Sequence, residues 1–261
     1  MVSDHCPIVL MEDERDWGPK PFKFLNAWLL HPQFTSFVEN TWKELQIQRA
    51  AGVTLLRNLQ ALKMVQKQWN KEVYGNTAAQ LKASEDELNA LDLRAEVRPL
   101  EDAEIKQNSE ARNEMWRVSR MMEWEWLQKS RLDWNMKGDR NTRYFHVMAT
   151  SRKNKNALNS IVVGEVAIEE PIQVNIEVWS HFTNQFSEEW RLRPIIGGEF
   201  KSVRQSDSFH ILESEFSAVE GWEAVKDCNG NKAPGPDGFN LLFFQKFWKV
   251  LKEDVMLFFT D

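Results

Sequence analysis

Several things are scarce in this chain of 261 residues, and each scarcity removes a class of protein. There are only two cysteines, Cys6 and Cys228, far apart, without metal-ligand spacing and without a histidine-rich neighbour. A disulfide framework or a zinc site is therefore not expected, and a reducing, intracellular location is, with nucleus and cytoplasm left undecided. No apolar segment of signal-peptide type opens the chain and no run approaches 18 uninterrupted apolar residues, so neither secretion nor membrane spanning is expected. Positive charge is not in excess either: 33 Lys and Arg face 39 Asp and Glu, a net of −6, so any contact with nucleic acid must come from a local patch. No two aspartates are adjacent. What is present is apolar matter, 42% hydrophobic and 11% aromatic, enough to bury the core of one large domain or two ordinary ones.

Periodicity predicts a mainly helical chain. Residues 8–10 form an apolar run short enough for a strand, and Phe22, Phe24 and Asn26 alternate like a half-buried one. The spacing then turns helical. Phe34, Phe37, Val38, Trp42 and Leu45 recur at three and four, and so do Leu55, Leu56, Leu59, Leu62, Val65, Trp69 and Val73. Gly75 reads as a C-terminal stop and residues 77–80 as a capping-box start. A third helix with Leu81, Leu88 and Leu91 on one side runs to about Val97, and Pro99 fits the first turn of a fourth. That fourth, over roughly 100–136, carries Ile105, Met115, Trp116, Met122, Trp126 and Leu127. The apolar positions keep no strict heptad, so antiparallel arms are expected rather than an isolated coiled coil. Ile161, Val162, Val163, Val166 and Ile168 read as a hairpin turning at Gly164. A helix over 174–186 with Trp190 near its end, a loop over 191–207 and a helix beginning near Ser214 follow. His31 reads as a residue leading into a helix and His146 as buried or capping.

Charge is polarised. Residues 112–155 hold 11 Lys and Arg against 5 Asp and Glu, a local net of +6 that leaves −12 for the remainder. Arg140, Arg143, Arg152, Lys153 and Lys155 can neutralise phosphates, while Trp134, Tyr144 and Phe145 can stack on bases or fill a core. A solvated helix face is the other reading of the same run, and composition leaves both open. Near the end, residues 231–239 read Asn-Lys-Ala-Pro-Gly-Pro-Asp-Gly-Phe. Two prolines remove amide donors, and Gly235 and Gly238 admit the positive φ that a tight double turn needs. Two exposed glycine amides beside Lys232 would make an anion-binding nest, and a plain Pro/Gly turn before a core helix is the alternative.

As strings, KAPGPDGF and the following LLFFQKFW resemble the first reverse-transcriptase block of LINE-type (non-LTR) retrotransposon polyproteins. SDHCPI at residues 3–8 resembles the last active-site block of the exonuclease III-like endonuclease that opens those polyproteins. GPxPF, W-x-x-H-x-x-F and WNKExxGN, carried by Trp28, His31, Phe34, Trp69, Asn70, Lys71, Glu72, Gly75 and Asn76, resemble the connector of plant-like members. GDRNTxFFH followed by a basic segment resembles the stretch ahead of the polymerase, with Tyr144 replacing the first Phe. The resemblance implies vestigial endonuclease roles for Asp4 and His5, at the metal and water site and at the scissile phosphate. It also implies template contact and loop shaping by Lys232, Gly235 and Asp237.

The parent activity implied is RNA-directed DNA polymerase with an endonuclease, using Mg²⁺. Such chemistry clamps two cations about 3.5–4 Å apart between carboxylates, which the family supplies in F-x-x-D and A-D-D blocks after KAPGPDG. Asp237, Asp254 and Asp261 stand in the wrong context, and the endonuclease's other carboxylates would precede Met1. The expectation is thus a truncated, non-enzymatic fragment with no cofactor and no metal site of its own. Its fold class is mainly α: a long antiparallel helical connector flanked by short β remnants, namely endonuclease C-terminal strands and one hairpin near 160–168, with a small helical start of reverse-transcriptase fingers. Residues 1–30 would be the endonuclease remnant, 31–137 the connector, 138–212 the basic segment, hairpin and helix, and 213–261 the truncated polymerase start. Expected partners are RNA or DNA through residues 137–155, with no membrane. The alternative is a host-retained nucleic-acid-binding or helical protein-interaction module, self-associating through exposed helical faces.

Overall fold

Apolar residues at helical spacing account for most of the architecture. The computed structural model describes residues 14–45, 51–75, 77–131, 142–188 and 214–260, with positions 190, 193, 195, 197 and 198. In order come α1 (Phe34–Glu44), α2 (Ala51–Trp69), α3 (Thr77–Val97), α4 (Asp102–Ser130), α5 (Thr142–Lys155), β1 (Ile161–Val163), β2 (Val166–Ile168), α6 (Pro171–Phe186), α7 (Ala218–Asp227) and α8 (Leu241–Thr260). A 3₁₀ turn over Asn26–Leu30 precedes α1, and a π turn over Asn70–Tyr74 extends α2. The mainly helical class with one antiparallel hairpin is as the sequence predicts.

The chain divides into two compact units, Met1–Lys20 with Lys155–Val203, and Pro21–Asn154 with Arg204–Asp261. In the second, α1 buries Phe34, Val38 and Trp42 at four-residue spacing. α2 buries Leu59, Leu62 and Trp69, and its π turn stops at Gly75, whose φ of 58° suits glycine and whose N–H donates to the Asn70 carbonyl at 3.0 Å. α3 and α4 are the predicted antiparallel arms: Leu88 and Leu91 are buried on one, Ala111, Val118 and Met121 on the other. Gln107 donates to Glu87 at 2.6 Å, and Arg98 grips Glu104 with two bonds of 2.8 Å.

The core is aromatic and joins distant segments. Phe24 meets Trp28 edge-on with ring centroids 5.4 Å apart and Phe243 at 5.2 Å; Phe34 lies 4.9 Å from Trp69, and Phe239 4.4 Å from Phe243. Phe24, Phe34, Phe243, Leu62, Met121 and Leu251 are wholly buried. Offset and edge-to-face pairs of this kind contribute about 0.5–1.5 kcal/mol beyond the area they bury.

In the other unit, β1 pairs with β2 in the register Ile161 opposite Ile168, with Gly164 in the turn. Arg15 Nη1 donates to the carbonyls of Asn159 at 3.2 Å and Glu169 at 2.8 Å, tying the segment before Gly18 to the hairpin and the start of α6. α6 buries Pro171 and Val174. Its opposite side exposes Ile172, Ile176, Trp179, Phe182 and Phe186 at three- and four-residue spacing.

Several local expectations need correction. Phe22 and Phe24 are buried, but Asn26 opens a 3₁₀ turn, because no strand among the described residues lies beside this stretch to complete a ladder. α4 starts at Asp102, not in a turn begun by Pro99; Glu101 caps it in a reciprocal box with Glu104. Gln80 does not close a box on Thr77; its Nε2 donates to the Tyr74 carbonyl across the helix junction, at 3.2 Å. Ile105 and Trp116 are exposed while Ala111 and Val118 are buried, so α4 turns a smaller-residue face inward than hydrophobicity alone indicates. α7 begins at Ala218 with Ser217 as its cap, and Trp190 lies beyond the end of α6. The run at 8–10 lies outside the described residues.

The α4 cap has a testable pH signature. The Arg98 guanidinium, with the Glu101 amide, holds the Glu104 carboxyl down at about 2. Its contribution is complete above the usual carboxylate range and is lost as pH falls from about 4.5 toward 2. Protection of the Glu104 and Ile105 amides, taken against the intrinsic exchange rate at each pH, should fall across that window in the wild type, and Glu104→Gln should already show the lower protection at neutral pH. A wild-type protection factor independent of pH there would contradict the assignment.

Candidate nucleic-acid interface

The Pro/Gly loop is built onto residues 22–28, here termed the strap. The Phe24 N–H donates to the Gly238 carbonyl at 2.8 Å, and the Gly238 N–H donates to the Gly235 carbonyl at 3.0 Å. Gly238 is buried, has a φ of 91°, and sits so close to the strap that a Cβ would lie 2.5 Å from Phe22 Cδ1 and 2.6 Å from the Phe22 carbonyl oxygen. Only glycine fits both the angle and the space. This corrects the expected nest: the Gly238 amide is occupied and turned inward, so a pair of exposed glycine amides does not exist beside Lys232.

Beneath the loop lies an amide network. Asn26 N–H donates to Gln128 Oε1 at 2.9 Å, and Gln128 Nε2 donates back to the Phe24 carbonyl at 2.7 Å. Asn26 Nδ2 donates to Asn231 Oδ1 at 3.0 Å, while Asn240 Nδ2 donates to Asn26 Oδ1 at 2.7 Å. Asn240 Oδ1 in turn accepts from the Phe243 N–H at 3.2 Å, capping α8. Asp237 is half-buried, and burial raises its pKa; the N–H groups of Phe239, Gly238 and Asp237 itself, with Lys63, oppose that rise. Its carboxyl thus serves the loop's own backbone. Gly235 and Lys232 are exposed, and Lys232 is the loop's outward cation.

The basic segment forms α5. At 3.6 residues per turn, Arg143, His146, Thr150 and Lys153 fall within roughly a quarter of its circumference. Arg143, His146 and Lys153 are exposed. Phe145 and Arg152, seven residues apart, share another face: Phe145 is buried, and Arg152 Nη1 donates to the Ser130 carbonyl at the end of α4, at 3.2 Å. A cation at a helix C-terminus is favourable, so Arg152 has a structural partner instead of an open charge. Lys155 is exposed, as is Tyr144. His146 is neither buried nor a cap; its ring lies against Trp126 with centroids 3.4 Å apart and planes tilted by 33°. His31 does lead into α1, accepting from the Phe34 N–H through its carbonyl, with its pKa lowered chiefly by burial and secondarily by Arg117.

Asp4, His5 and Arg140 lie outside the described residues, as does Cys6; Cys228 is an exposed free thiol. Among the described residues, no group of three or more His, Cys, Asp or Glu is placed to hold a metal ion, and no helix is long and apolar enough to cross a membrane. The structure thus brings Lys232, Gly235 and Asp237 together on one loop and Arg143, Arg152, Lys153 and Lys155 on one helix. Sequence reasoning missed Asn26, Gln128 and Asn240. Asn26 reads in sequence as an inward position of a half-buried strand, and neither Gln128 nor Asn240 is marked by its neighbours as its partner.

Gly238→Ala tests the loop geometry. The positive φ and the clash with Phe22 should together cost at least about 2 kcal/mol in chemical denaturation, whereas Gly197→Ala, which meets open space, should cost little. Equal effects of the two substitutions would contradict the close approach.

Comparison with known proteins gives one informative similarity. Over 97% of its length the chain is 24% identical to the transposon TX1 uncharacterized 149 kDa protein of Xenopus laevis, of which it spans 20%. No family model matches the chain, and no solved structure matches it. The similarity fits an origin in a retrotransposon polyprotein.

Proposed function

We propose that the chain is a catalytically inert fragment of a LINE-type, plant-like endonuclease and reverse-transcriptase polyprotein that keeps weak affinity for a single-stranded polynucleotide backbone. The observation that carries this reading is the similarity to the transposon TX1 protein across nearly the whole chain. The KAPGPDGF loop leading into α8 agrees with it, as a string similar to a first polymerase block. Asp4 and His5 stay vestigial in this reading, and no metal or cofactor is used.

Exposed Arg143, Lys153, Lys155 and Lys232 supply the phosphate contacts, with Arg140 beside them in sequence and Tyr144 offering a stacking ring. Arg152 contributes through α4 and not through the ligand. Such binding should weaken with salt, with a slope of about −0.7 per phosphate contact for a single strand. Reversing charge at Arg143 and Lys153 should flatten that slope, read by fluorescence anisotropy on a labelled RNA. Arg152→Ala should leave the slope unchanged yet cost roughly 1–2 kcal/mol of stability. Salt-independent binding would sink the proposal, and so would primer extension on an RNA template with Mg²⁺ by the purified chain.

A second reading, a helical interaction module, is favoured by the exposed stripe on α6, where Trp179 is 70% and Phe186 80% accessible. Contiguous apolar surface of this kind marks association sites. Light scattering should then detect oligomers that Trp179→Ser and Phe186→Ser together dissolve. A strictly monomeric wild type would remove this reading.

A further inference from the structure

We infer that the strap clamps the Pro/Gly loop, and that Asn26 is the positioning residue through which it holds residues 231–238 in the shape that turns Lys232 outward. The inference rests on the nucleic-acid reading only for what Lys232 then contacts; the clamp itself rests on geometry.

Three observations carry it. First, the loop's own bonds are local ones: the Asp237 carboxyl accepts from the N–H groups of Asp237, Gly238 and Phe239, and Asn229 Oδ1 from the Asn231 N–H at 3.0 Å. Its internal backbone bonds are Lys232 N–H to the Asn229 carbonyl at 3.2 Å and Gly238 N–H to the Gly235 carbonyl at 3.0 Å, with two prolines removing further donors. Second, what fixes it comes from the strap: the Phe24 N–H bond to the Gly238 carbonyl, the Phe22 backbone filling the space a Gly238 side chain would need, and the Phe22 and Phe239 rings 5.3 Å apart. Third, one buried side chain bridges both ends of the loop. Asn26, 5% accessible, donates to Asn231 before the loop and accepts from Asn240 after it, using its donor and its acceptor at once. The Asn26 backbone is itself fixed to α4 through Gln128. The loop's two ends, joined to each other by the Leu242 N–H to the Gly230 carbonyl at 3.2 Å, are thus also bridged by a residue more than 200 positions away, and Ala at position 26 would leave Asn240 Nδ2 buried without that partner.

The arrangement makes the loop conditional on the connector. A polynucleotide contact by Lys232 requires the loop to be preformed, since ordering it on binding would subtract from an already weak electrostatic affinity. Docking of the strap supplies that order in advance.

The test uses the full chain with Asn26→Ala, hydrogen exchange followed by NMR at the Phe24 and Gly238 amides, and a labelled single-stranded oligouridylate as RNA probe. Exchange at both amides should accelerate at least tenfold while Leu88 and Leu91, on α3, keep their protection. Unchanged exchange at Phe24 and Gly238 in a folded variant would overturn the clamp. If Asn26→Ala loses protection throughout, Asn231→Ala decides, since Asn231 is exposed and its loss removes one bond: acceleration confined to the same two amides upholds the clamp, and none overturns it. In the binding arm, Asn26→Ala should reduce RNA affinity as much as Lys232→Ala, with no further loss in the double variant. Wild-type affinity in a chain whose loop amides exchange fast would overturn the positioning role. A wild type that binds no RNA would fell the nucleic-acid reading alone, because the exchange arm still decides whether Asn26 holds the loop.

Discussion

The structure depends on a backbone constraint: a largely buried strap that pairs with no strand among the described residues must still pair its N–H and C=O groups. It does so with two partners far away in sequence, the Gly238 carbonyl for the Phe24 N–H and the Gln128 amide for the Phe24 carbonyl and the Asn26 N–H. Once those bonds form, Phe22, Phe24 and Trp28 are placed against Phe239, Phe243 and Phe34, and the core follows. Each motif in residues 22–34, 69–76 and 232–248 contributes to that core. Strings that read separately as a connector and a polymerase start are one packing unit.

The core also carries cost. The Asn58 Oδ1, both amide atoms of Gln66 and the Tyr74 hydroxyl are buried without a hydrogen-bond partner, at about 1–3 kcal/mol each. Burial pushes the Tyr74 hydroxyl well above its usual pKa, which agrees with an apolar surrounding. Dense aromatic packing offsets such losses, as in the Trp28, Phe34, Trp69 and Tyr74 cluster, where Trp28 Nε1 still finds Asn70 Oδ1 at 2.8 Å. α3, by contrast, is held on α4 by Leu88, Leu91, Val118 and rim ion pairs, while α4 itself also reaches the strap through Gln128 and the core through Met121.

Helix content was legible because apolar spacing of three and four decides helices whatever their partners, and Gly75 and Gly164 punctuate the chain where expected. The hairpin was legible for the same kind of reason. Helix starts were less so: Glu101 is an unusual cap, and its identity depends on Arg98 and Glu104 folding back. The strap misread as a half-buried strand because alternation signals two faces but says nothing of whether a neighbouring strand exists. For the candidate interface, sequence located the cations but not their use. Arg152 and Arg143 are equivalent as charges, and only the helix phase, with Phe145 on the Arg152 side, separates a capping group from an outward one. The loop glycines were legible as a turn, while the closeness of Gly238 to Phe22 depends on a contact across most of the chain.

The central claim is that residues 22–34 and residues 239–255 share one core. Nuclear Overhauser spectroscopy on the purified chain measures it most directly, through cross-peaks between the Phe22 ring protons and the Gly238 Hα protons. Strong cross-peaks are the predicted result. A folded chain with well-dispersed helical resonances and no such cross-peaks would contradict the account.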